Sequence, residues 1–265
     1  MRPFEYANPT TVAEAIELLG GAEAALPLAG GTDLLSLLKD DLVAADRLVN
    51  LKSIPELRGV AAVDGGVRIG ATTTLTELLA ADPVRDGFPA LVQAAEGIRS
   101  PQLQAMGTVG GELLQRPRCW YFRAGFGLLA LRDGRSMVVD GDNRYHAILG
   151  TEGPAWFVNP SSLAPALVAL GATARIAGPA GEREVSVADL FRAPAAAGES
   201  ELTLGAAEVR GEIVVPAARG PNATYEVRQK EALDWPLAAA AVALELEGDT
   251  VAAARVVLGH VAPVP

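Results

Sequence analysis

Residues 26–40 read "LPLAGGTDLLSLLKD": an apolar run, two glycines, Thr32 and Asp33, and then a leucine-rich segment. The apolar run predicts a short buried strand over residues 25–29, and the leucines predict a helix from about residue 33 to residue 39. Glycine permits φ > 0 and lets another group approach the backbone closely. Free amides at the start of a helix form a ready site for phosphate. The stretch therefore indicates either a phosphate-binding loop or a tight turn with Thr32 or Asp33 as the helix N-cap.

A second stretch repeats this pattern later in the chain. Residues 106–114, "MGTVGGELL", contain the hydroxyl of Thr108, the pair Gly110-Gly111, and the acidic Glu112 before two leucines. A protein that holds a diphosphate from both sides requires two loops of this kind. Neither loop has the G-x-G-x-x-G pattern of a dinucleotide-binding Rossmann fold or the lysine of a P-loop. The repeated pattern therefore favours a diphosphate site of a different kind.

The composition excludes several functional classes. The 265 residues are 50% hydrophobic, which suffices for a packed core, and their net charge of −10 argues against binding to nucleic acid or an anionic membrane. The one cysteine, Cys119, excludes an internal disulfide and a four-cysteine iron–sulfur cluster within the chain. Two histidines argue against a zinc or non-haem iron site built by this protein alone. The sequence has no secretory signal and no run of about 18 apolar residues, so we expect a cytoplasmic protein without a membrane span.

Apolar periodicity and turn residues predict a mixture of helices and strands. Asp64-Gly65-Gly66 lies between two apolar runs and predicts a hairpin. "AWFVN", residues 155–159, is interpreted as a strand that precedes a helix capped by Ser161 or Ser162. Near the end of the chain, two apolar runs flank a Glu247-Gly248-Asp249 turn and predict paired strands.

The same patterns suggest how the chain divides into domains. Residues 1–54 form a β/α unit of the size of a strand–helix–strand crossover. The pattern changes near residue 221, where a strand-rich segment begins. We therefore predict a domain over residues 1–220, with subdomains of about 1–54 and 55–220, and a second, small domain over residues 221–265.

Several motifs together resemble one known family. In order they are "LAGGTDLL", "RIGATTTLTELLA", "MGTVGGELLQRPRCWYFR", "NPSSLAPALVALGA" and "VLGHVAPVP". This order is similar to that of the FAD-binding medium subunits of molybdenum hydroxylases, which include carbon monoxide dehydrogenase, xanthine dehydrogenase and bacterial aldehyde oxidoreductases. The resemblance implies an α+β fold: an FAD-binding domain of the vanillyl-alcohol-oxidase (PCMH) type with two subdomains. It also implies a C-terminal α+β domain like that of the CO dehydrogenase flavoprotein, here truncated.

The resemblance also implies a set of FAD-binding residues in the two glycine loops. In the family these loops hold the pyrophosphate of FAD. No catalytic residue and no metal ligand of this chain is implied. The implied contacts are Pro27, Leu28, Ala29, Gly30, Gly31, Thr32, Asp33, Leu34, Thr108, Gly110, Gly111, Glu112 and, near the flavin ring, Ser162.

By resemblance, the chain is an electron-transfer subunit. Electrons pass from [2Fe–2S] clusters of a small partner subunit through FAD to an acceptor such as NAD, oxygen or a quinone. The hydroxylation itself takes place on a molybdopterin cofactor in a large partner subunit. Two alternatives remain open from the sequence: a stand-alone flavin oxidase, and a degenerate structural subunit that binds its partners without flavin.

The chain departs from the family pattern at four places. Relatives usually have Asn or Asp where this chain has Glu112, and Ser162 takes the place of an Asp near the flavin ring. The lysine of a "YxK" pattern is missing at Tyr225-Glu226, and the loss of a cation near the flavin is expected to change its redox potential. The C-terminal domain looks shortened, which we expect to weaken flavin binding.

Residues 115–153 correspond to an insertion that holds a four-iron cluster in some relatives. Cys119 has no second cysteine beside it, so this chain cannot hold such a cluster, and we interpret Cys119 as a buried thiol and His146 as a structural hydrogen-bonding residue. Three aromatic residues either line a flavin ring or anchor a buried loop: Trp120, Tyr121 and Phe122. Three arginines either meet an FAD phosphate or an acidic partner, or form a solvated basic patch: Arg116, Arg118 and Arg123.

Overall fold

The computed structural model describes residues 1–230 and 234–265, so the part of the sequence prediction that falls on residues 231–233 lies outside it. The chain begins with a parallel sheet in the order β1-β3-β2. Its strands are β1 (Glu5–Ala7), β2 (Ala25–Leu28) and β3 (Arg47–Asn50), and its crossover helices are α1 (Val12–Gly20) and α2 (Leu34–Lys39). Parallel neighbours require such crossovers, and the predicted strand–glycine turn–helix over residues 26–40 is confirmed as β2 and α2.

A second, antiparallel sheet forms the centre of the molecule. Its strands are β4 (Val60–Val63), β5 (Gly66–Gly70), β8 (Thr173–Gly178), β9 (Gly181–Ser186) and β10 (Val209–Pro216), in the order β4-β5-β10-β8-β9. The predicted hairpin at Asp64-Gly65-Gly66 joins β4 to β5. A separate small hairpin consists of β6 (Leu131–Arg132) and β7 (Arg135–Ser136). The last strand of this sheet in sequence, β10, lies between β5 and β8. The central position of the sheet is therefore filled by the strand that comes last along the chain.

Helices between β5 and β8 cover the central sheet. They are α3 (Leu75–Ala80), α4 (Asp82–Gly87), α5 (Pro89–Gly97), α6 (Pro101–Met106), α7 (Val109–Leu113) and α8 (Leu163–Ala169). The largest core cluster packs apolar side chains of α3, α5 and α8 against sheet residues such as Ile69 and Ile213, all of which are fully buried. This burial is the main stabilising contribution in the fold. Among the described helices, none is both long enough and apolar enough to span a bilayer.

A third sheet contains β11 (Asn222–Arg228), β12 (Pro236–Glu247) and β13 (Thr250–Gly259) in sequential antiparallel order. The predicted paired strands about Gly248 are β12 and β13. One face of this sheet packs on α5 and α8, and Ala241 of β12 belongs to the main core cluster. The third sheet is thereby fixed to α5, which precedes the second glycine pair, and to α8, which follows it.

The strand predicted over residues 155–159 is wrong. The segment is extended and buried at Ala155 and Phe157, but it has no neighbouring strand. Its backbone bonds go to two separate segments, since the Trp156 carbonyl accepts from Ala147 and the Asn159 amide donates to Ala262. An apolar run thus predicted burial correctly, but the pattern of hydrogen bonds depends on distant residues.

Asn222 of β11 holds the third sheet to α5, and its removal tests this junction. Its Oδ1 accepts from the Ala90 amide at 2.9 Å, in the first turn of α5. Asn222→Ala leaves this buried amide without an acceptor, so we expect the free energy of unfolding to fall by about 1–3 kcal/mol. Asn222→Asp keeps the acceptor and is expected to lose less. Urea denaturation measures both, and equal losses would show that the hydrogen bond is not what holds the junction.

Candidate functional site

The two glycine loops contact each other directly. A Cβ on Gly30 would overlap the Met106 carbonyl oxygen, and it would lie 2.8 Å from the Met106 carbonyl carbon and 3.2 Å from the Cα of Gly107. No residue with a side chain fits at this position without moving the backbone. Gly31, with φ of +72°, then turns the chain into α2. The first glycine pair therefore serves both the close approach of the loops and the turn between β2 and α2.

The backbone amides of the two loops have different roles. Within the described residues, the four consecutive amides from Gly30 to Asp33 have no hydrogen-bond acceptor. In the second loop, the Gly110 amide donates to the Ala71 carbonyl at 2.8 Å, and the Gly111 amide donates to Thr108 Oγ1 at 3.0 Å. The prediction that both loops offer free amides is therefore wrong for the second loop, whose backbone is engaged by the protein itself.

A cleft of about 160 Å³ lies between the loops. Four of the predicted site residues line it, and so do several residues that the sequence did not single out for this place. The lining includes Thr32, Asp33, Gly107, Gly111, Glu112, Gln115, Ile98, Leu103, Arg118 and Trp235. The cleft thus combines a backbone loop, an apolar wall and charged side chains.

The other predicted site residues surround this cleft without lining it. Pro27 and Leu28 belong to β2, and Leu34 begins α2 and packs against the cluster around Leu38. Thr108 is the N-cap of α7, where its hydroxyl accepts from Gly111. Ala29, Gly30 and Gly31 lie in the first loop, Gly110 lies in the first turn of α7, and Ser162 is buried at the start of α8. Their contacts with FAD stay a prediction.

Asp33 holds the segment that follows the second loop. Its carboxylate pairs with Arg118 at 3.0 Å and with Arg123 at 2.9 Å, and it also accepts from the Arg116 amide at 2.8 Å. Asp33 does not cap α2 with its side chain, although its sequence position suggested that role. Arg116 pairs in turn with Glu201. Of the three arginines, Arg118 is the one that reaches the cleft.

Arg118 and Trp235 stack at the side of the cleft that the third sheet supplies. The Arg118 guanidinium lies 4.5 Å from the centre of the Trp235 ring, and its buried Nε has no hydrogen-bond partner in the part of the chain that the structure describes. Burial lowers the pKa of the Arg118 guanidinium, while Asp33 opposes this shift. Trp235 could not be identified as a cleft residue from the sequence, because its approach to the cleft depends on how the third sheet packs.

Glu112 is buried at the cleft wall and holds the start of α8. Its carboxylate accepts from Ser161 Oγ at 2.6 Å, the Ser162 amide at 2.7 Å and the Leu163 amide at 3.3 Å. Gln115 adds a fourth donor at 3.1 Å. Burial nevertheless raises the pKa of Glu112 from 4.5 to about 7, because the loss of solvent outweighs these donors. The acidic residue that was expected to face FAD thus also ties the second loop to α8.

Cys119 and His146 form a buried pair away from the cleft. Cys119 Sγ lies 3.1 Å from His146 Nε2, and the ring of Trp120 packs against the imidazole at 5.2 Å between centroids. Burial raises the pKa of the Cys119 thiol and lowers the pKa of His146, so both groups are neutral near pH 7. Within the described residues, no group of His, Cys, Asp and Glu side chains has the arrangement of a metal site. The structural interpretation of both residues agrees with this geometry.

The titration of Glu112 gives a test of its burial. Between about pH 4.5 and pH 7 the folded protein holds a proton at Glu112 that the unfolded chain has released, so the stability due to Glu112 falls as the pH rises through this window. Glu112→Gln cannot titrate. The unfolding free energy of the wild type minus that of the variant is expected to fall by about 3 kcal/mol across the window.

Urea denaturation at several pH values measures this difference. His260, whose pKa is lowered to about 4 by burial and by Arg228, contributes stability that is lost as the pH falls, but it is present in both proteins and cancels. A difference that does not change with pH would mean that Glu112 stays ionised in the folded state.

Comparisons with known proteins agree on one family. A family model described as the FAD binding domain in molybdopterin dehydrogenase matches residues 2–218. The carbon monoxide dehydrogenase medium chain of Hydrogenophaga pseudoflava is 32% identical over 98% of this chain and 75% of its own length. The aldehyde oxidoreductase FAD-binding subunit PaoB of Escherichia coli is 30% identical over 100% of this chain and 83% of its own length.

Solved structures extend this likeness to the fold. Carbon monoxide dehydrogenase from Hydrogenophaga pseudoflava matches with a TM-score of 0.75 and 28% identity, over 100% of this chain and 77% of that one. Quinoline 2-oxidoreductase from Pseudomonas putida 86 matches with a TM-score of 0.74 and 25% identity, over 98% of this chain and 75% of that one. The chain therefore belongs to the family of FAD-binding domains of molybdopterin dehydrogenases.

Proposed function

We propose that FAD binds in the cleft between the two glycine loops, with its diphosphate on the first loop. The residues of this cleft fit the group. Gly30 lets the first loop approach the backbone of Met106 and Gly107, and the amides from Gly30 to Asp33 lack acceptors within the described part of the chain. Arg118 adds a cation whose buried Nε has no hydrogen-bond partner among the described residues. The row of four free amides is the observation that carries this proposal, because such a row recognises the oxygens of a phosphate group.

Each part of the cleft has a separate task in this proposal. The first loop and the Thr32 hydroxyl hold the diphosphate, and Arg118 offsets its charge. Ile98 and Leu103 exclude water on the apolar side. Bound FAD supplies the ability to take up and release electrons, and the protein supplies orientation and electrostatics. Glu112 and Ser162 form the base of the site by fixing α7 to α8.

We further propose that the chain is the electron-transfer subunit of a molybdenum hydroxylase. In this role it receives electrons from iron–sulfur clusters of a small partner subunit and passes them to an acceptor such as NAD, oxygen or a quinone. A large partner subunit with molybdopterin performs the hydroxylation. The family membership and the names of the relatives, a medium chain and an FAD-binding subunit, support this assignment.

In this proposal the two predicted domains contribute different parts of the FAD site. Residues 1–220 form the FAD-binding domain, and residues 221–265 form a second unit whose Trp235 lies at the edge of the cleft. The range of the family model, 2–218, and the separate third sheet over 222–259 support this division.

The variant Gly30→Ala tests the site. Its Cβ overlaps the Met106 carbonyl oxygen, so the first loop must move away from the second. Overpacking of this kind costs about 1–3 kcal/mol, and we expect FAD affinity to fall about tenfold or more. Gly87→Ala is the matched control, because a Cβ there meets nothing within 4 Å. Titration of the purified chain with FAD, followed by flavin fluorescence and thermal unfolding, measures affinity and stability separately.

The outcomes separate the proposal from its rivals. A yellow wild-type protein with a weakened Gly30→Ala variant supports the cleft. A colourless wild type that does not respond to added FAD contradicts FAD binding by this chain and favours a structural subunit. Oxidation of a substrate by the isolated flavin-loaded chain would instead favour a stand-alone oxidase. Equal affinity in Gly30→Ala and Gly87→Ala would move the FAD site away from the loops.

A further inference from the structure

Arg210 of β10 is a buried cation without an acidic partner among the described residues. Its side chain lies under the second glycine loop, and the residue is 3% exposed. Nη2 donates to the Gly110 carbonyl oxygen, while Nε and Nη1 are buried without any hydrogen-bond partner. A buried charge costs several kcal/mol unless another charge compensates it. A negative charge near Arg210 would therefore stabilise its charged form.

One peptide unit separates this cation from the cleft. A Cβ placed on Gly110 would lie 2.9 Å from Arg210 Nη2, whereas the next residue, Gly111, lines the cleft. Glycine at position 110 is thus what allows the guanidinium to reach the loop backbone.

The hydrogen bonds of this peptide unit run from the cation towards the cleft wall. The Gly110 carbonyl accepts from Arg210, and the amide of the same peptide unit, that of Gly111, donates to Thr108 Oγ1 at 3.0 Å. A cation on the carbonyl polarises the peptide, and each bond in such a chain strengthens the next. The Thr108 hydroxyl is buried and does not line the cleft, so the peptide unit itself carries the effect of the cation to the cleft wall at Gly111.

We propose that Arg210 is a positioning residue for the diphosphate of the cofactor, acting through the Gly110–Gly111 peptide rather than by contact. The inference rests on the proposed function, that is, on FAD between the two loops. A diphosphate carries the negative charge that the buried guanidinium lacks. Glu112, which stabilises the charged form of Arg210 at longer range, offsets part of that charge from the same loop.

The proposal predicts selectivity by phosphate content. Arg210→Met removes the charge and keeps a long apolar side chain. We expect it to weaken FAD binding about tenfold or more and to leave the binding of riboflavin, which has no phosphate, within about twofold of wild type. Arg210→Lys restores a cation and is expected to recover most of the FAD affinity. Arg219→Met is the control for loss of an arginine, because that side chain is 77% exposed.

Fluorescence titration of the full chain with FAD and riboflavin, alongside thermal unfolding, is the experiment. An FAD-selective loss in Arg210→Met supports the proposal. Equal losses of affinity for both ligands, or no loss, would overturn the role of Arg210. If the wild type still binds FAD in that case, the proposed function is not contradicted. Absence of FAD binding in the wild type would instead overturn the proposed function. If Arg210→Met does not fold, Arg210→Gln replaces it and must weaken FAD more than riboflavin, while Arg210→Lys stays close to the wild type.

Discussion

The close approach of Gly30 to the backbone of Met106 and Gly107 is the constraint on which the site depends. It joins the parallel sheet at the start of the chain to the helices that cover the central sheet. Hydrophobic burial stabilises each part, but it does not specify how two loops meet. A side chain at Gly30 is excluded by backbone atoms, which cannot rotate away as side chains do. The Asp33 carboxylate then holds the segment after the second loop through Arg118 and Arg123, so the first loop is fixed both by van der Waals contact and by charge.

Much of the fold was predictable because its signals are local. Apolar periodicity and glycine turns identified β2 and α2, the β4–β5 hairpin and the pairing of β12 with β13. The strand over residues 155–159 was predicted wrongly, because apolar character indicates burial but not a partner for the backbone. The second glycine pair was recognised by the same local signals, but it lies in the first turn of α7 and not in a turn before the helix.

The roles of the charged residues were not predictable, because their partners are far away in sequence. Glu112 and Ser161 are separated by 49 residues, and Asp33 and Arg123 by 90. The two loops also look alike in sequence, yet the amides of the second are bound by Ala71 and by Thr108, while those of the first have no acceptor within the described residues. A glycine pair near the start of a helix indicates that another group can approach the backbone closely. Which group does so depends on the packing of residues that are distant in sequence.

The distribution of buried charge explains how the cleft can be specific for a charged ligand. The buried pair of Cys119 and His146 is neutral and does not line the cleft. The cleft is surrounded instead by Arg118, Glu112 and Arg210, all of them withdrawn from water to different degrees. In a medium of low polarity such charges act strongly on whatever lies between them. Because a flavin performs its own chemistry, a protein that binds it needs fixed geometry and a fixed field, and buried charges behind glycine loops provide both without occupying the space that the ligand requires.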